Sequence, residues 1–441
     1  MRSSVNSMFS KLLVANRGEI AVRIIRACKE MGISTVAVFS EADSESLHVA
    51  LADESYCIGR AEASDSYLNE ERIISAALVS GAQAIHPGYG FLSENAHFAQ
   101  LCRDHKIEFI GPSAACMRTL GDKAETKRIM AEAGLPVIPG SGVLGTLAEA
   151  EAALRETGCP AMLKARSGGG GRGIRLISQP EQLSAAFTAA RAECGAAFGD
   201  CAVYLEKYIH PARHIEIQIL ADGAGNVVCL GERDCSIQRN NQKLIEESPS
   251  PVVADRRREK IFAQAARAVG SLGYTGVGTL EFLRDEAGQF YFMEMNVRLQ
   301  VEHPVTEALT GIDLVKWQFR AAAGVELAFA QKDIDLRGSA IECRINASAP
   351  GKVEFLHVPG GPFVRFDTYL TLGTVVTPYY DPLLGKLVIY AASREEALRK
   401  MKAALCELVI EGVPNNIGEQ LEVIGSDDFM SGNYDLDFFR K

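Results

Sequence analysis

The chain has 441 residues, with 46 lysines and arginines against 56 aspartates and glutamates, and a formal net charge of -10. This length exceeds what one hydrophobic core usually supports, so two or three domains are expected. The negative charge and the lack of a long basic run argue against nucleic-acid binding. No stretch has the length of a transmembrane helix and no signal peptide is recognisable, so we expect a cytoplasmic protein without membrane association.

The eleven cysteines are an odd number and contain no C-x-x-C pair. Several have apolar neighbours, as Cys28 and Cys229 do. This distribution predicts reduced, mostly buried thiols rather than disulfides or a zinc site.

The first hundred residues alternate strands and helices. After a polar extension at 1–10, which we expect to be disordered, an apolar run at 12–15 leads through a helical pattern at 20–28 to a second apolar run at 35–39. That order is the unit of a parallel, doubly wound sheet. Further helical patterns and short strands continue it, at 73–79, 84–86, 98–102 and 108–110. The first strand lacks G-x-G-x-x-G, which weakens an oxidoreductase interpretation.

The pattern changes after residue 112. A helix is predicted at 123–133, and two short strands at 162–164 and 174–177 flank a glycine cluster. Helices, strands and a hairpin alternate up to about residue 337. From Ser339 the pattern is rich in strands, and a helix is predicted at 394–408 before a polar tail.

The glycine cluster joins two predicted strands. Four consecutive glycines at 168–171 lie between Arg166 and Arg172, and Lys164 precedes them. Glycine backbones can close on phosphate oxygens, and lysine can neutralise their charge. The loop is not a Walker A motif, because no Gly-Lys-Ser/Thr opens a helix after it. A phosphate-binding lid is favoured over a merely flexible hairpin tip.

Strong polar groups occupy every second position from Glu294 to Glu302. They are Glu294, Asn296, Arg298, Gln300 and Glu302, and apolar residues separate them. In a strand these side chains would share one face. A buried row of this kind needs a metal, a ligand or matching charges, whereas a solvated strand end would need none.

Glu281 lies across a predicted turn from Glu294. Together with the amide oxygen of Asn296, the two carboxylates would form a hard-oxygen site for Mg²⁺ or Mn²⁺. Simple pairing around the turn sets Glu281 opposite about Tyr291, so a bulge or strong twist is needed to bring Glu294 beside it.

Three other charged residues fall on apolar strand patterns: Lys243, His214 and Arg344. By themselves His214 and Arg344 are equally consistent with ordinary structural roles. Taken together, the glycine loop, the carboxylates and the polar row describe an ATP-dependent enzyme acting on a small anion. Arg298 would hold the anion, and Glu302, with a pKa raised by apolar neighbours, would be a general base.

Long segments of the chain closely resemble biotin carboxylase, the ATP-grasp component of acetyl-CoA carboxylase and related biotin-dependent carboxylases. The matching segments are ANRGEIA at 15–21, HPGYGFLSEN at 86–95, GDK at 121–123, the glycine loop, ERDCS at 232–236, EMN at 294–296 and QVEHPVTE at 300–307.

The resemblance implies an α/β and α+β multidomain fold. Its parts would be a Rossmann-like N-terminal domain at 11–121, an ATP-grasp domain at 122–338 with a mobile lid at about 138–210, and a β-rich C-terminal domain at 339–441. It also implies that ATP and bicarbonate form carboxyphosphate, which supplies CO₂ to N1′ of biotin on a separate carrier protein.

The resemblance further implies roles for individual residues. Nucleotide contacts would be Lys123, Lys164, Gly170, Gly171, Glu206, Lys207, Tyr208, Ile209, His214 and Gln238. The ligands of Mg²⁺ or Mn²⁺, two ions in all, would be Glu281, Glu294 and Asn296. Lys243, Arg298, Gln300 and Val301 would hold bicarbonate, Glu302 would deprotonate it, and Arg344 would stabilise the enolate-like oxygen of biotin.

The chain departs from the family pattern at three places. Asn240-Asn241 replaces a segment that usually ends in histidine, and Arg166-Ser167 stands where small residues are common. After Arg344, a short segment at 347–351 replaces a longer proline-rich loop. The last change concerns docking of the carrier more than ATP binding.

No biotin-acceptor Ala-Met-Lys-Met and no transferase-sized region is present. The carrier protein and the carboxyltransferase are therefore expected on separate chains, with this chain in a homodimer as is common in the family. Two alternatives remain open: a carboxylate–amine ligase of the ATP-grasp type, and a non-catalytic nucleotide-binding subunit.

Overall fold

The computed structural model describes residues 8–166, 173–198 and 201–440, and the side chains of 196–198 are not considered. Gly170 and Gly171 of the predicted lid lie outside the described residues, as does most of the expected extension at 1–10. Met8 and Phe9, expected in that extension, pack against a core cluster instead. Within the described residues no helix is long and apolar enough to cross a membrane.

The N-terminal part is a doubly wound parallel sheet, as predicted. Its elements are β1 (Lys11–Val14), α1 (Gly18–Glu30), β2 (Ser34–Ser40), α2 (Leu47–Leu51), β3 (Glu54–Gly59), α3 (Glu70–Ser80), β4 (Ala84–His86), α4 (Ala96–Asp104), β5 (Glu108–Phe109) and α5 (Ala114–Gly121). The strand order is β3-β2-β1-β4-β5, and all neighbours are parallel. The order reverses between β1 and β4, where such sheets bind their ligands.

A small antiparallel sheet with its own core follows. The elements are α6 (Lys123–Glu132), α7 (Leu147–Thr157), β6 (Ala161–Ala165), β7 (Ile174–Ile177), α8 (Leu183–Phe198) and β8 (Val203–Lys207), and the strand order is β7-β6-β8. The buried side chains of this unit, among them Leu154, Leu163 and Leu205, form a separate cluster. The predicted lid is therefore a compact unit.

The rest of the chain builds one large antiparallel sheet with its covering helices, and two small two-stranded sheets. Before residue 330 the elements are β9 (Ala212–Ala221), β10 (Val227–Arg239), β11 (Gln242–Ser248), α9 (Asp255–Ser271), β12 (Gly276–Asp285), β13 (Phe290–Asn296), α10 (His303–Thr310) and α11 (Leu314–Ala322). After it they are β14 (Ser339–Asn346), β15 (Gly351–Lys352), β16 (Phe355–His357), β17 (Val364–Thr368), β18 (Val375–Val376), β19 (Leu383–Ala391), α12 (Arg394–Glu407), β20 (Val409–Glu411), α13 (Ile417–Ile424) and α14 (Asp427–Ser431). The small sheets are β15-β18 and β16-β20.

The large sheet continues across the boundary that the sequence suggested at 338/339. Its order is β13-β12-β9-β10-β11-β14-β19-β17, so β14 pairs directly with β11. Three strands of the C-terminal part, β14, β19 and β17, thus extend the sheet of the preceding domain. This continuity places Arg344, on β14, beside the residues of β11.

Six of the cysteines are buried, as expected: Cys28, Cys102, Cys194, Cys229, Cys235 and Cys343. Four others are exposed, which their position in the sequence did not indicate: Cys57, Cys159, Cys201 and Cys406.

A fully buried arginine connects the elements that carry the polar row. Arg233 on β10 donates to Glu216 at 2.6 Å and Gln218 at 2.7 Å on β9, and also to Thr279 on β12 and Thr306 on α10. Its side chain has no exposed surface. A buried guanidinium is tolerable only when its N–H groups are paired in this way.

We predict that Arg233→Met lowers the free energy of unfolding by about 3 kcal/mol, because Glu216 loses a partner in a dry site. Thermal unfolding followed by circular dichroism measures the change. The control is Arg239→Met on the same strand, whose side chain is 54% exposed and pairs with Glu419, and which should cost less than about 1 kcal/mol. Equal losses in the two variants would contradict the structural role of Arg233.

Candidate functional site

A cavity of about 670 Å³ lies between the N-terminal parallel sheet and the large antiparallel sheet. Its lining includes all four residues expected to be catalytic and all three expected to bind metal: Lys243, Arg298, Glu302, Arg344, Glu281, Glu294 and Asn296. His214, Gln238, Gln300 and Val301 line it too. The structure thus brings together residues spread over about 130 positions of sequence.

The alternating row reaches the cavity although only its first part is a strand. Strand β13 ends at Asn296, and the segment up to Glu302 is irregular before α10 begins. The intervening Val297 and Leu299 are buried in core clusters. The polar members of the row face the cavity, and Val301 lines it as well, because the alternation ends in the turn at 301–302.

The predicted bulge is present. Glu281 pairs with Glu294, while the next pair is Phe282 with Phe292, so Met293 is the extra residue. The hairpin turn is shorter than the sequence suggested, and one bulge is enough to bring the two carboxylates onto neighbouring positions.

Glu302 is held between two cations in the absence of substrate. Lys243 Nζ lies 2.6 Å from Oε1, and Arg344 Nη2 lies 2.9 Å from Oε2. The residue has no exposed surface. Burial alone would raise the pKa of Glu302, but the charges of Lys243, Arg344 and Arg233 hold it well below its usual value.

The expectation of a raised pKa for Glu302 was therefore wrong. It assumed that the apolar sequence neighbours surround the carboxylate, whereas Val301 is only partly buried and the next residue is His303 of α10. The actual neighbours come from β10, β11 and β14 and are positively charged. Sequence adjacency did not reveal them, because they belong to strands far away in the chain.

Lys243 lies at the centre of a group of carboxylates. Its Nζ is 2.7 Å from Glu216, 3.1 Å from Glu281 and 2.6 Å from Glu302. Burial alone would lower the pKa of Lys243, but these carboxylates raise it well above the usual value. The ammonium group is thus charged and is shared among three carboxylates.

The oxygen atoms expected to bind metal are at present neutralised by cations and amides. Glu281 accepts from Asn296 at 2.9 Å and from Gln300 at 3.0 Å, besides Lys243. Glu294 accepts from Lys123 at 2.7 Å. Burial would raise the pKa of Glu281, yet Lys243 and His214 lower it far below the usual range. Two ionised carboxylates on neighbouring strands fit a hard divalent cation.

His214 and Gln238 are neighbours on the wall formed by β9 and β10. Gln238 Nε2 lies 3.1 Å from His214 Nδ1, and His214 Nε2 lies 3.2 Å from Glu281. His214 therefore stands between the carboxylates and the outer part of the cavity. His214 is buried on β9 together with the polar residues Glu216 and Gln218, and Gln238 and Glu281 are its polar neighbours in the cavity.

The remaining expected nucleotide contacts lie outside the cavity lining. Glu206 is only 2% exposed and its carboxylate binds Lys164 at 2.6 Å and Lys127 at 2.5 Å. Lys207 is exposed, and Tyr208 and Ile209 follow it toward the large sheet. Lys127 was not anticipated from the sequence, although it lies one helical turn beyond Lys123 on α6.

Arg344 is also held from the side away from the cavity. Its Nε donates to Glu246 Oε1 at 2.6 Å. Burial alone would lower the pKa of the guanidinium, but Glu246 and Glu302 raise it above its ordinary value. Arg344 thus bridges two carboxylates, one of which is the expected base.

Three parts of the lining were not predicted from the sequence. Residues 16–20 follow β1, and residues 89–91 follow β4. Both lie where the strand order of the parallel sheet reverses, and that rule could have identified them. A third part, residues 379–383 before β19, carried no comparable signal.

Two of the departures from the family sequence pattern lie at the cavity, and each has a local structural explanation. Asn240 and Asn241 form the turn between β10 and β11 with φ of 52° and 63°, values that asparagine adopts more readily than most residues. The short segment after β14 is closed by Ala347 N–H to Pro382 O and Ser348 N–H to Pro414 O, each at 2.8 Å. It therefore joins the rim of the cavity directly.

Comparison with known proteins agrees with this arrangement. Three family profiles match: "Biotin carboxylase, N-terminal domain" over 8–117, "Carbamoyl-phosphate synthase L chain, ATP binding domain" over 122–330 and "Biotin carboxylase C-terminal domain" over 342–441. The biotin carboxylase of Nostoc sp. is 52% identical over 98% of this chain and 99% of its own. Biotin carboxylase 1 of Bacillus subtilis is 49% identical over 98% of each chain.

Solved structures agree equally well. The biotin carboxylase–beta-gamma-ATP complex of Campylobacter jejuni superposes with a TM-score of 0.97 at 45% identity, covering 99% of this chain and 100% of that chain. The biotin carboxylase domain dimer of Hydrogenobacter thermophilus 2-oxoglutarate carboxylase, with MgADP and bicarbonate, has a TM-score of 0.95 at 48% identity and covers 98% of both chains. The chain belongs to the biotin carboxylase family.

Proposed function

We propose that this protein is a ligase that uses ATP and bicarbonate to carboxylate biotin attached to a carrier protein, forming a carbon–nitrogen bond. The observation that carries the proposal is the ionised Glu302 held between Lys243 and Arg344 in a cavity that also contains hard oxygen ligands. The similarity to a structure that holds MgADP and bicarbonate supports it.

Bicarbonate would bind where the cations converge. Arg298 donates to Gln300 at 2.7 Å and to Asn296 at 3.1 Å, which directs its guanidinium into the row. An anion accepted by Arg298 and Lys243 takes part of the charge of Lys243 away from Glu302. The basicity of Glu302 then rises, because its low pKa depends in part on Lys243. Glu302 would then remove the proton of bicarbonate, whose oxygen attacks the γ-phosphorus of ATP.

Arg344 would act in the second step of the reaction, in which biotin is carboxylated. Negative charge develops on the ureido oxygen of biotin as N1′ loses its proton, and a fixed guanidinium stabilises that charge. Gln300 and Val301 also line the cavity and would help to hold bicarbonate.

Glu281, Glu294 and Asn296 would hold Mg²⁺ or Mn²⁺, two ions in all. Their oxygens fit such cations: Glu294 and Glu281 accept from Lys123 and Lys243, and His214 Nε2 lies 3.2 Å from Glu281. When bound, the metal would offset the charge of the phosphate oxygens. Lys123, Lys164, His214 and Gln238 would contact the nucleotide, together with Glu206, Lys207, Tyr208, Ile209 and the lid glycines Gly170 and Gly171.

Separate chains would supply the biotin carrier and the carboxyltransferase. Relatives include the small subunit of a 2-oxoglutarate carboxylase and a pyruvate carboxylase subunit, so we attribute the choice of final acceptor, acetyl-CoA or another, to the transferase. A homodimer is proposed because the Hydrogenobacter domain is a dimer. The buried free thiols support a cytoplasmic location.

We predict that Glu302→Gln reduces carboxybiotin formation at least about a hundredfold, because the general base is lost. ATP binding should remain near normal, since Glu302 pairs with Lys243 and Arg344 rather than with the expected nucleotide contacts. Carboxylation of free biotin and calorimetric ATP binding measure the two effects. Glu326→Gln, at an exposed position, is the control; unchanged turnover in Glu302→Gln would remove Glu302 as the base.

The choice of acceptor gives a second prediction. Bicarbonate-dependent ATP hydrolysis should be stimulated by free biotin, because Arg344 is placed to stabilise a ureido oxygen. Phosphate release with biotin or with a panel of amines distinguishes the alternatives. Stimulation by an amine alone would indicate a carboxylate–amine ligase, and no hydrolysis under any condition would indicate a non-catalytic subunit.

A further inference from the structure

Two glutamates face each other on the side of Arg344 away from the cavity. Glu246 on β11 pairs directly with Glu342 on β14, and neither has any exposed surface. Directly opposite residues of antiparallel strands point to the same face, with Cβ atoms about 5 Å apart. Two carboxyl groups therefore share one dry compartment next to the arginine.

The oxygens of this pair lack donors. Glu246 Oε1 accepts from Arg344, but Glu246 Oε2 and both oxygens of Glu342 have no hydrogen-bond partner within the described residues. Ionised carboxylates only accept, so two of them cannot satisfy each other, and leaving such groups bare in a buried site is costly. One proton between them would supply a hydrogen bond to both.

The surrounding charges place that proton on Glu342. In the described part of the chain Glu342 makes no ion pair, whereas Glu246 is bound to Arg344. Burial raises the pKa of Glu342 well above its usual value, Lys386 opposes the rise, and the negative charges of Glu246 and Glu302 add to it. Lys386 is already engaged by Glu19 at 3.1 Å and by Val301 O at 3.0 Å.

Helix α10 packs over the same face of β14 and contributes one more titratable group. The helix contacts Ala340 and Val388 in a small cluster, beside Glu342 in the sheet. Its first residue, His303, has a pKa lowered well below the usual value by burial and by nearby cations, so it is neutral. Lys243, on β11, lowers the pKa of Glu246 only weakly compared with burial and Arg344.

We propose that Glu246 and Glu342 share one proton and that this acid–carboxylate pair is the positioning device that holds Arg344 for the biotin step. The carboxyl O–H of Glu342 donates to Glu246 Oε2, and Glu246 Oε1 accepts from Arg344. No covalent bond forms or breaks. The proposal rests on the proposed function, because it concerns how Arg344 is held for biotin.

The pair keeps Arg344 from depending on Glu302 alone. Arg344 contacts both Glu246 and Glu302. An ionised Glu246 therefore still holds the guanidinium when Glu302 takes the proton of bicarbonate and loses its charge. Burial raises the pKa of Glu246 to about 7 despite Arg344. Below that pH Glu246 becomes neutral, and the arginine then binds only to the base. Biotin carboxylation should therefore decline as the pH falls through about 7.

The shared proton can be observed directly. The infrared difference spectrum between the wild-type protein and Glu342→Gln at neutral pH should contain the C=O band of a protonated carboxyl group. Carbon-13 labelling of glutamate should shift this band. A spectrum with only carboxylate bands would overturn the proposal, and this measurement does not depend on the stability of other variants.

Kinetics test the positioning role. Glu342→Gln keeps a donor to Glu246, so kcat for biotin carboxylation should stay within about twofold of the wild type. The acid limb of the pH profile, which is the decline in biotin carboxylation as the pH falls, should not move in this variant. Glu342→Leu removes the donor, so kcat/KM for biotin should fall about tenfold and the acid limb should move to higher pH. Glu246→Gln should abolish the acid limb and lower kcat at all pH values.

Biotin-independent, bicarbonate-dependent ATP hydrolysis is the internal control. Its kcat/KM for bicarbonate should lack this decline at low pH, because the pKa of Glu302 before bicarbonate binds is well below its usual value. The same limb in that reaction, or equal kinetics in Glu342→Leu and Glu342→Gln, would overturn the inference. A wild-type protein that forms no carboxybiotin would instead overturn the proposed function.

Discussion

The site depends on buried charges of alternating sign. Lys243, Arg233 and Arg344 lie between carboxylates, and each ionised group in this network is stabilised only by its neighbours. Removing a charge from water costs several kcal/mol, and only close oppositely charged partners offset that cost. The strands that carry these residues must therefore keep their register for the site to exist.

The large sheet provides that register. Glu281 and Glu294 become neighbours through one bulge, and Glu246 faces Glu342 because β11 pairs with β14. The parallel sheet closes the opposite side of the cavity, with Arg17 and Tyr89 following two of its strands. Under the proposed function, one wall of this cavity would receive the phosphates and metal, and the other, near Arg344, would receive biotin. Glu302 lies between them and can respond to both.

Much of this site could be predicted from the sequence. The alternation from Glu294 to Glu302 depends only on backbone geometry, and the bulge followed from the requirement that Glu281 meet Glu294. The strand–helix alternation before residue 121 likewise gave the parallel sheet. These predictions are local, because they rest on spacing within one hairpin or one repeating unit.

The rest depends on which strands lie side by side. The low pKa of Glu302 comes from Lys243 and Arg344, which are distant in sequence, and no local pattern showed that they flank it. The pairing of Glu246 with Glu342 crosses a boundary that looked like the edge of a domain. The composition of the strands indicated buried charges, but only the sheet order shows which charges meet.

The central claim is that Glu302 activates bicarbonate rather than water for attack on ATP. Incubation with ATP and oxygen-18 bicarbonate, followed by mass spectrometry of the released phosphate, tests it most directly. If a bicarbonate oxygen attacks the γ-phosphorus, the phosphate carries one labelled oxygen and the Glu302→Gln protein produces little of it. Phosphate released without label would show that water is the nucleophile and would contradict the account.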